Sequence, residues 1–103
     1  PIETALDVYV AVLGPGANDR ALKLVQALRA QGFAAERDYL DRKLKAQFKS
    51  ADIFKAKTLI TLGESEVESG QVTVKNNHNR EEITVSLDKI QKNYQLIFEK
   101  LGF

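Results

Sequence analysis

A chain of 103 residues has the size of one domain and can bury enough surface to fold without disulfides or a metal. Its 44% hydrophobic and 28% charged residues are a globular balance, and the lack of cysteine excludes a disulfide framework, a thiolate nucleophile and a cysteine zinc site while suiting a reducing compartment. With 15 basic against 14 acidic side chains the net charge is only +1, which argues against nucleic-acid binding through bulk charge alone.

The run from Asp7 to Leu13 is apolar and β-branched and is closed by Gly14-Pro15-Gly16, the pattern of a strand buried on both faces and central in a sheet. Asn18 or Asp19 then caps a helix carrying Ala21, Leu22, Val25 and Leu28 at helical spacing, with Gly32 to end it. Phe33 to Arg37 reads as a second strand, parallel to the first because a helix joins them by a right-handed crossover. From Leu44 the period is helical again, with Leu44, Phe48 and Ala51 on one side and Lys45, Lys49 and Asp52 near the other.

Thr58 to Leu62, stopped by Gly63, completes a βαβαβ beginning. Gly63 to Gly70, holding Glu64, Glu66 and Glu68, reads as a strand exit and an acidic turn. Gln71 to Lys75 and Ile83 to Val85 alternate with period two around Asn76-Asn77-His78-Asn79, which predicts a hairpin with one buried face. Asp88 and Gln91 fit a capping box for a last helix with Ile90, Tyr94, Ile97 and Leu101 on one face. The whole predicts an α/β fold of three layers, a mixed sheet of about five strands flanked by three helices, parallel at first and ending in an antiparallel hairpin.

Nothing resembles a linker or a repeat, so residues 1–103 form a single domain. No window holds the roughly 18 apolar residues of a spanning helix, and Pro1-Ile2-Glu3-Thr4 is no signal peptide, which predicts a soluble chain with no membrane partner. A sequence that begins at Pro1 and contains no methionine reads as a piece of a longer chain.

Catalysis has no visible home. His78, the only histidine, lies among turn-forming asparagines, and no nucleophile has a base nearby in sequence. No metal-ligand motif is present, and the three glutamates between Gly63 and Gly70 have no other hard ligands clustered with them. Gly14-Pro15-Gly16 matches neither phosphate-binding fingerprint, since Ala17-Asn18-Asp19-Arg20 follows, and reads as a strand-to-helix turn. One patch stands out: Arg42, Lys43, Lys45, Lys49, Lys55 and Lys57 are opposed within their stretch only by Asp52. By charge alone this is a solvated helix face.

Two segments, Leu44-Lys45-Ala46-Gln47-Phe48-Lys49-Ser50-Ala51-Asp52 and the stretch from Leu62-Gly63-Glu64-Ser65-Glu66-Val67-Glu68-Ser69-Gly70 through Lys75, resemble the C-terminal anticodon-binding domain of bacterial histidyl-tRNA synthetases, class II aminoacyl-tRNA synthetases. The resemblance runs from about Asp7 to the final helix. The second segment is shared with threonyl relatives; the first, through Lys45, Phe48, Lys49, Ala51 and Asp52, leans histidyl.

The resemblance implies the same mixed-sheet fold and a non-catalytic module of a ligase used in protein biosynthesis. Its partners are the tRNA-His anticodon loop and the rest of the synthetase chain. The full-length enzyme is then a cytoplasmic homodimer that uses ATP and Mg2+ to join histidine to tRNA; the fragment itself needs no cofactor. Carried over, anticodon base reading falls to Asp41, Glu66 and Lys75, and RNA backbone contact to Lys43, Lys45 and Lys49. A carboxylate accepts from guanine N–H groups and a lysine donates to base carbonyls, while phosphate contacts position the loop without reading it. The alternatives are the matching domain of a threonyl, prolyl or glycyl enzyme, or a small doubly wound nucleotide-binding or regulatory domain with a crevice beyond Gly14.

Overall fold

The computed structural model describes residues 5–38 and 43–103. In chain order the elements are β1 (Val8–Leu13), a 3-10 turn (Pro15–Ala17), α1 (Asn18–Ala30), β2 (Ala35–Arg37), α2 (Leu44–Ile53), β3 (Thr58–Gly63), α3 (Glu64–Ser69), β4 (Gln71–Asn76), β5 (Glu82–Ser86) and α4 (Leu87–Lys100). The strands form one five-stranded sheet in the order β2-β1-β3-β4-β5. β1 is parallel to both its neighbours, and β4 runs antiparallel to β3 and β5. This is the mixed sheet the sequence predicts.

Alternation along the strands sorts the side chains into two layers. Val8, Val10, Val12, Ile60, Leu62, Val72 and Val74 face Ala21, Leu24, Val25 and Leu28 of α1 and Leu87, Ile90, Tyr94, Ile97 and Phe98 of α4. Each fully buried aliphatic side chain there contributes about 1.5–3 kcal/mol. The opposite face holds a smaller cluster, Tyr9, Ala11 and Leu59 with Ala51 of α2 and Ala56. A hydrogen-bond chain ties the larger core together: Thr58 Oγ1 donates to the Asp7 carbonyl at 2.6 Å, so the Tyr94 hydroxyl, 2.7 Å from that oxygen, must be the donor to it. Burial pushes the Tyr94 phenol well above its ordinary range, holding it in the donating form.

α1 and α4 share this core and are also bridged by one polar side chain. At Asn93 the backbone of α4 is non-helical, with φ −158° and ψ 78°. Gln31, the C-cap of α1, spans this break: Nε2 donates to the carbonyls of Ile90 and Gln91 at 2.9 and 2.8 Å, and Oε1 accepts from the Tyr94 amide at 2.7 Å. The groups freed by the kink are thereby satisfied.

Several local expectations are corrected. Gly63 to Gly70 is not only a turn: Glu64–Ser69 forms a fourth helix, closed by Gly70 at φ +74°, a conformation that costs an L side chain strain. It buries no residue, so it carries no apolar period by which a sequence reading finds helices. The cap of α4 is Ser86, whose Oγ accepts from the Lys89 amide at 3.1 Å, and Asp88 lies inside the helix. Neither Asn18 nor Asp19 caps α1. The 3-10 turn feeds it directly, and the Asn18 side chain instead accepts from Arg37 Nη2 at 2.8 Å.

Candidate nucleic-acid interface

The smaller layer leaves part of the sheet open. On the α2 side β3 and β4 set Thr61 opposite Thr73 and Leu59 opposite Lys75, while β5 adds Thr84 beside Thr73 and Glu82 beside Lys75. None of the polar side chains on this floor is buried. A polar, uncovered sheet face offers hydrogen-bonding groups to an extended ligand without requiring a core to open.

The wall of this floor is α2, and its anchor is a glutamine. Gln47 is fully buried; its Oε1 accepts from the Val12 amide at 2.6 Å and its Nε2 donates to the Val12 carbonyl at 2.7 Å. The cause lies in the sheet. Among the described residues β2 pairs with β1 as far as Val10↔Arg37, and beyond that point the Gln47 side-chain amide bonds the Val12 backbone as a neighbouring strand residue would. With Gln47 and Ala51 inward, Phe48 is 38% exposed rather than on the buried side. Lys45 and Lys49 project to solvent on α2, and Lys43, just before it, is also exposed.

At one end of the floor, α3 folds two carboxylates back on glycines. Glu66 Oε1 accepts from the Gly63 amide at 2.8 Å, half of a capping box, and Oε2 accepts from Ser65 Oγ at 3.0 Å. A Cβ on Gly63 would stand 2.7 Å from Glu66 Oε1. Glu64 Oε1 accepts from the Gly16 amide at 3.1 Å and would lie 2.9 Å from a Cβ at Gly16. Glu64 therefore fills the loop after β1 with the protein's own anion.

The sequence-predicted residues fall in different places. Lys75 lies on the open floor and Lys43, Lys45 and Lys49 are exposed on α2 and its lead-in, whereas Glu66 stands beyond the β3 exit. Lys75 pairs with Leu59, four residues before Gly63, so these two candidates are roughly 13 Å apart along the strand at about 3.3 Å per residue. Asp41 lies outside the described residues. His78 sits in the hairpin turn as expected, its amide donating to Asn76 Oδ1 at 2.8 Å and its ring edge-on to Phe103. Among the described residues no three of His, Asp and Glu gather as a metal site, and no helix is long and apolar enough to cross a membrane.

Concavities among the described residues include a small hollow and a longer groove. A hollow of about 130 Å³ lies between α2, β3, β4 and the β4–β5 turn, lined by Phe48, Ala51, Asp52, Leu59, Lys75, Asn77 and Arg80. Arg80 was not singled out by sequence, since nothing local distinguishes it from any other turn cation. A larger groove of about 610 Å³ follows the β5 edge and α4 past Lys89, Lys92, Leu96 and Lys100, and none of the predicted site residues lines it.

A family model described as "Anticodon binding domain" matches residues 7–95. The chain belongs to that family. Over its full length this anticodon-binding domain is 92% identical to part of the histidine–tRNA ligase of Streptococcus sanguinis and 79% identical to part of that of Streptococcus pneumoniae, spanning 24% of each. The apo histidyl-tRNA synthetase of S. aureus superposes on 87% of the domain with a TM-score of 0.83 at 39% identity, the match covering 23% of that chain. The resemblance drawn from the two sequence segments is thus borne out, as is the fold it implied.

Proposed function

We propose that this domain holds the anticodon loop of the tRNA that accepts histidine, as the recognition module of a longer histidine–tRNA ligase. What carries the reading is the 92% identity to such a ligase across all 103 residues, and the open polar floor beside the lysines of α2 is the surface suited to the task. The ATP- and Mg2+-dependent joining of histidine to tRNA belongs in this reading to the remainder of the longer chain, as does its dimerisation. A cytoplasmic setting agrees with the lack of cysteine.

The roles divide by chemistry. Lys43, Lys45 and Lys49 are exposed cations on one helix and its lead-in, suited to a phosphate backbone, while Lys75 on the floor is suited to a base carbonyl. Glu66 reads a base with the acceptor capacity its cap leaves over. A carboxylate has about four acceptor sites, and intramolecular bonds occupy two of them. Asp41 is proposed as a third base reader at the exit of β2. Against the doubly wound nucleotide-binding alternative stands Glu64, which occupies the loop where a phosphate would sit.

The test is a titration of the purified domain with anticodon stem-loops of the histidine, threonine, proline and glycine tRNAs. The histidine loop is expected to bind at least about tenfold more tightly, or about 1.4 kcal/mol. Equal affinity for all four would reject the assignment.

A further inference from the structure

Phe48 and Asp52 have so far no role, although they are among the residues that make the α2 segment distinctive. Both line the hollow between α2 and the hairpin, together with Lys75, Asn77 and Arg80. We infer that this hollow receives a single guanine splayed out of the bound loop, stacked on Phe48, with N1 and N2 of its Watson–Crick edge on Asp52 and its adjacent Hoogsteen edge toward Lys75 and Arg80. The inference rests on the reading of the α2 face as the RNA-binding face and names the base and the residues that take it.

Three observations support it. A phenylalanine 38% exposed on a well-packed helix gives an aromatic surface to a neighbouring polar floor, and exposed aromatics beside cations are how unstacked bases are gripped. Among the described residues no hydrogen bond or ion pair engages the side chains of Asp52, Lys75 or Arg80, so their charges are free for a ligand. The third is the backbone of Arg80, at φ +66°, a region non-glycine residues avoid.

That strained residue is held by a heavily tied turn. The Arg80 amide donates to the Asn76 carbonyl at 2.8 Å, and Asn76 Oδ1 accepts from the amides of His78 and Asn79. The buried Asn76 itself donates from Nδ2 to the Leu101 carbonyl at 2.6 Å. Asn77 straps the turn to the segment before β3, donating from Nδ2 to the Ala56 carbonyl and from its amide to that of Lys57, both at 3.0 Å. A glycine would occupy the Arg80 position without strain, so the cation is kept there against local preference.

The choice of base follows from donor pattern. A carboxylate needs two adjacent N–H groups for a paired contact, and guanine alone among the four bases presents them, at N1 and N2. Adenine and cytosine set a lone pair next to their amino group, and uracil flanks its single N–H with carbonyls. Guanine O6 and N7 are acceptors suited to a lysine or an arginine.

The experiment titrates the domain with the histidine anticodon stem-loop and with versions in which each loop guanine in turn is inosine, which lacks only the 2-amino group. The parent domain should prefer guanine at one position by about tenfold, the loss expected when a hydrogen bond to a charged group disappears. Asp52→Asn should abolish that preference there and nowhere else. Phe48→Leu should weaken binding by roughly five- to a hundredfold, in line with loss of one stacked base, without changing the guanine-to-inosine ratio. Arg80→Gly should bind more weakly yet melt no lower than the parent, an outcome a purely structural arginine would not give. If the stem-loop binds but Asp52→Asn keeps the parent's preference, or no guanine position is distinguished from inosine, this inference falls while the proposed function stands. Absence of any stem-loop binding would overturn both.

Discussion

The face of the sheet toward α1 and α4 meets two helices through valine, isoleucine and leucine from four elements, whereas the face toward α2 meets one helix through Tyr9, Ala11, Leu59 and Ala51 and then runs on uncovered as threonine, lysine and glutamate. Stability is thus carried by one surface and, in the proposed function, recognition by the other, since alternate residues of β3 and β4 point to each. A mutation on the closed face should be felt as unfolding, and one on the open face as altered binding by a domain that remains folded.

The largest effect should come from the closed face. Ile60→Ala removes a fully buried side chain at the centre of the sheet and should cost about 2–5 kcal/mol in urea unfolding, while stem-loop affinity under native conditions stays at the parent value. Lost affinity in a variant still fully folded would break the separation of faces. Next is Gln47→Leu, close in shape but unable to bond Val12. It leaves a buried amide and a buried carbonyl unpaired and should cost about 2–4 kcal/mol. Unchanged stability would mean that Val12 finds other partners.

Glu66 sharpens the comparison because it caps α3 and is also proposed to read a base. Glu66→Ala should lose about 1 kcal/mol of stability with the cap. Glu66→Gln retains an amide oxygen for the Gly63 amide and should melt like the parent. If Glu66 reads a base, both variants lose discrimination between cognate and altered loops; if it only caps the helix, the glutamine variant restores it. The smallest effects belong to Lys45→Ala and Lys49→Ala, each expected within about 0.5 kcal/mol of parent stability. Each should weaken every loop alike and reduce the salt slope by up to about one counterion. A slope unchanged in both would remove them from the backbone contact.

What the sequence made legible was whatever a local pattern encodes. The β-branched run before Gly14, the glycine after α1 and the alternation around Asn76 depend on neighbours within a few residues, and all three appear where expected. Gln47 depends on something remote, the backbone of Val12 35 positions earlier, so its burial and the outward turn of Phe48 were invisible, and the hollow beside Phe48 with them. The glutamates after Gly63 were recognisable only by resemblance. Their physical reason, carboxylates folded onto Gly16 and Gly63, needs the ends of β1 and β3 side by side.

The glutamine bridge between α1 and α4 has a consequence for solvent exchange. The amide of Tyr94 is held by a side chain 63 positions away in sequence. Gln31 is itself held at the end of α1, so that proton is protected while the two helices stay docked at the kink. Its exchange rate therefore reports the separation of the two helices, a large opening that involves the main core. A single backbone proton at the kink is thus expected to report the docking of α4 on α1.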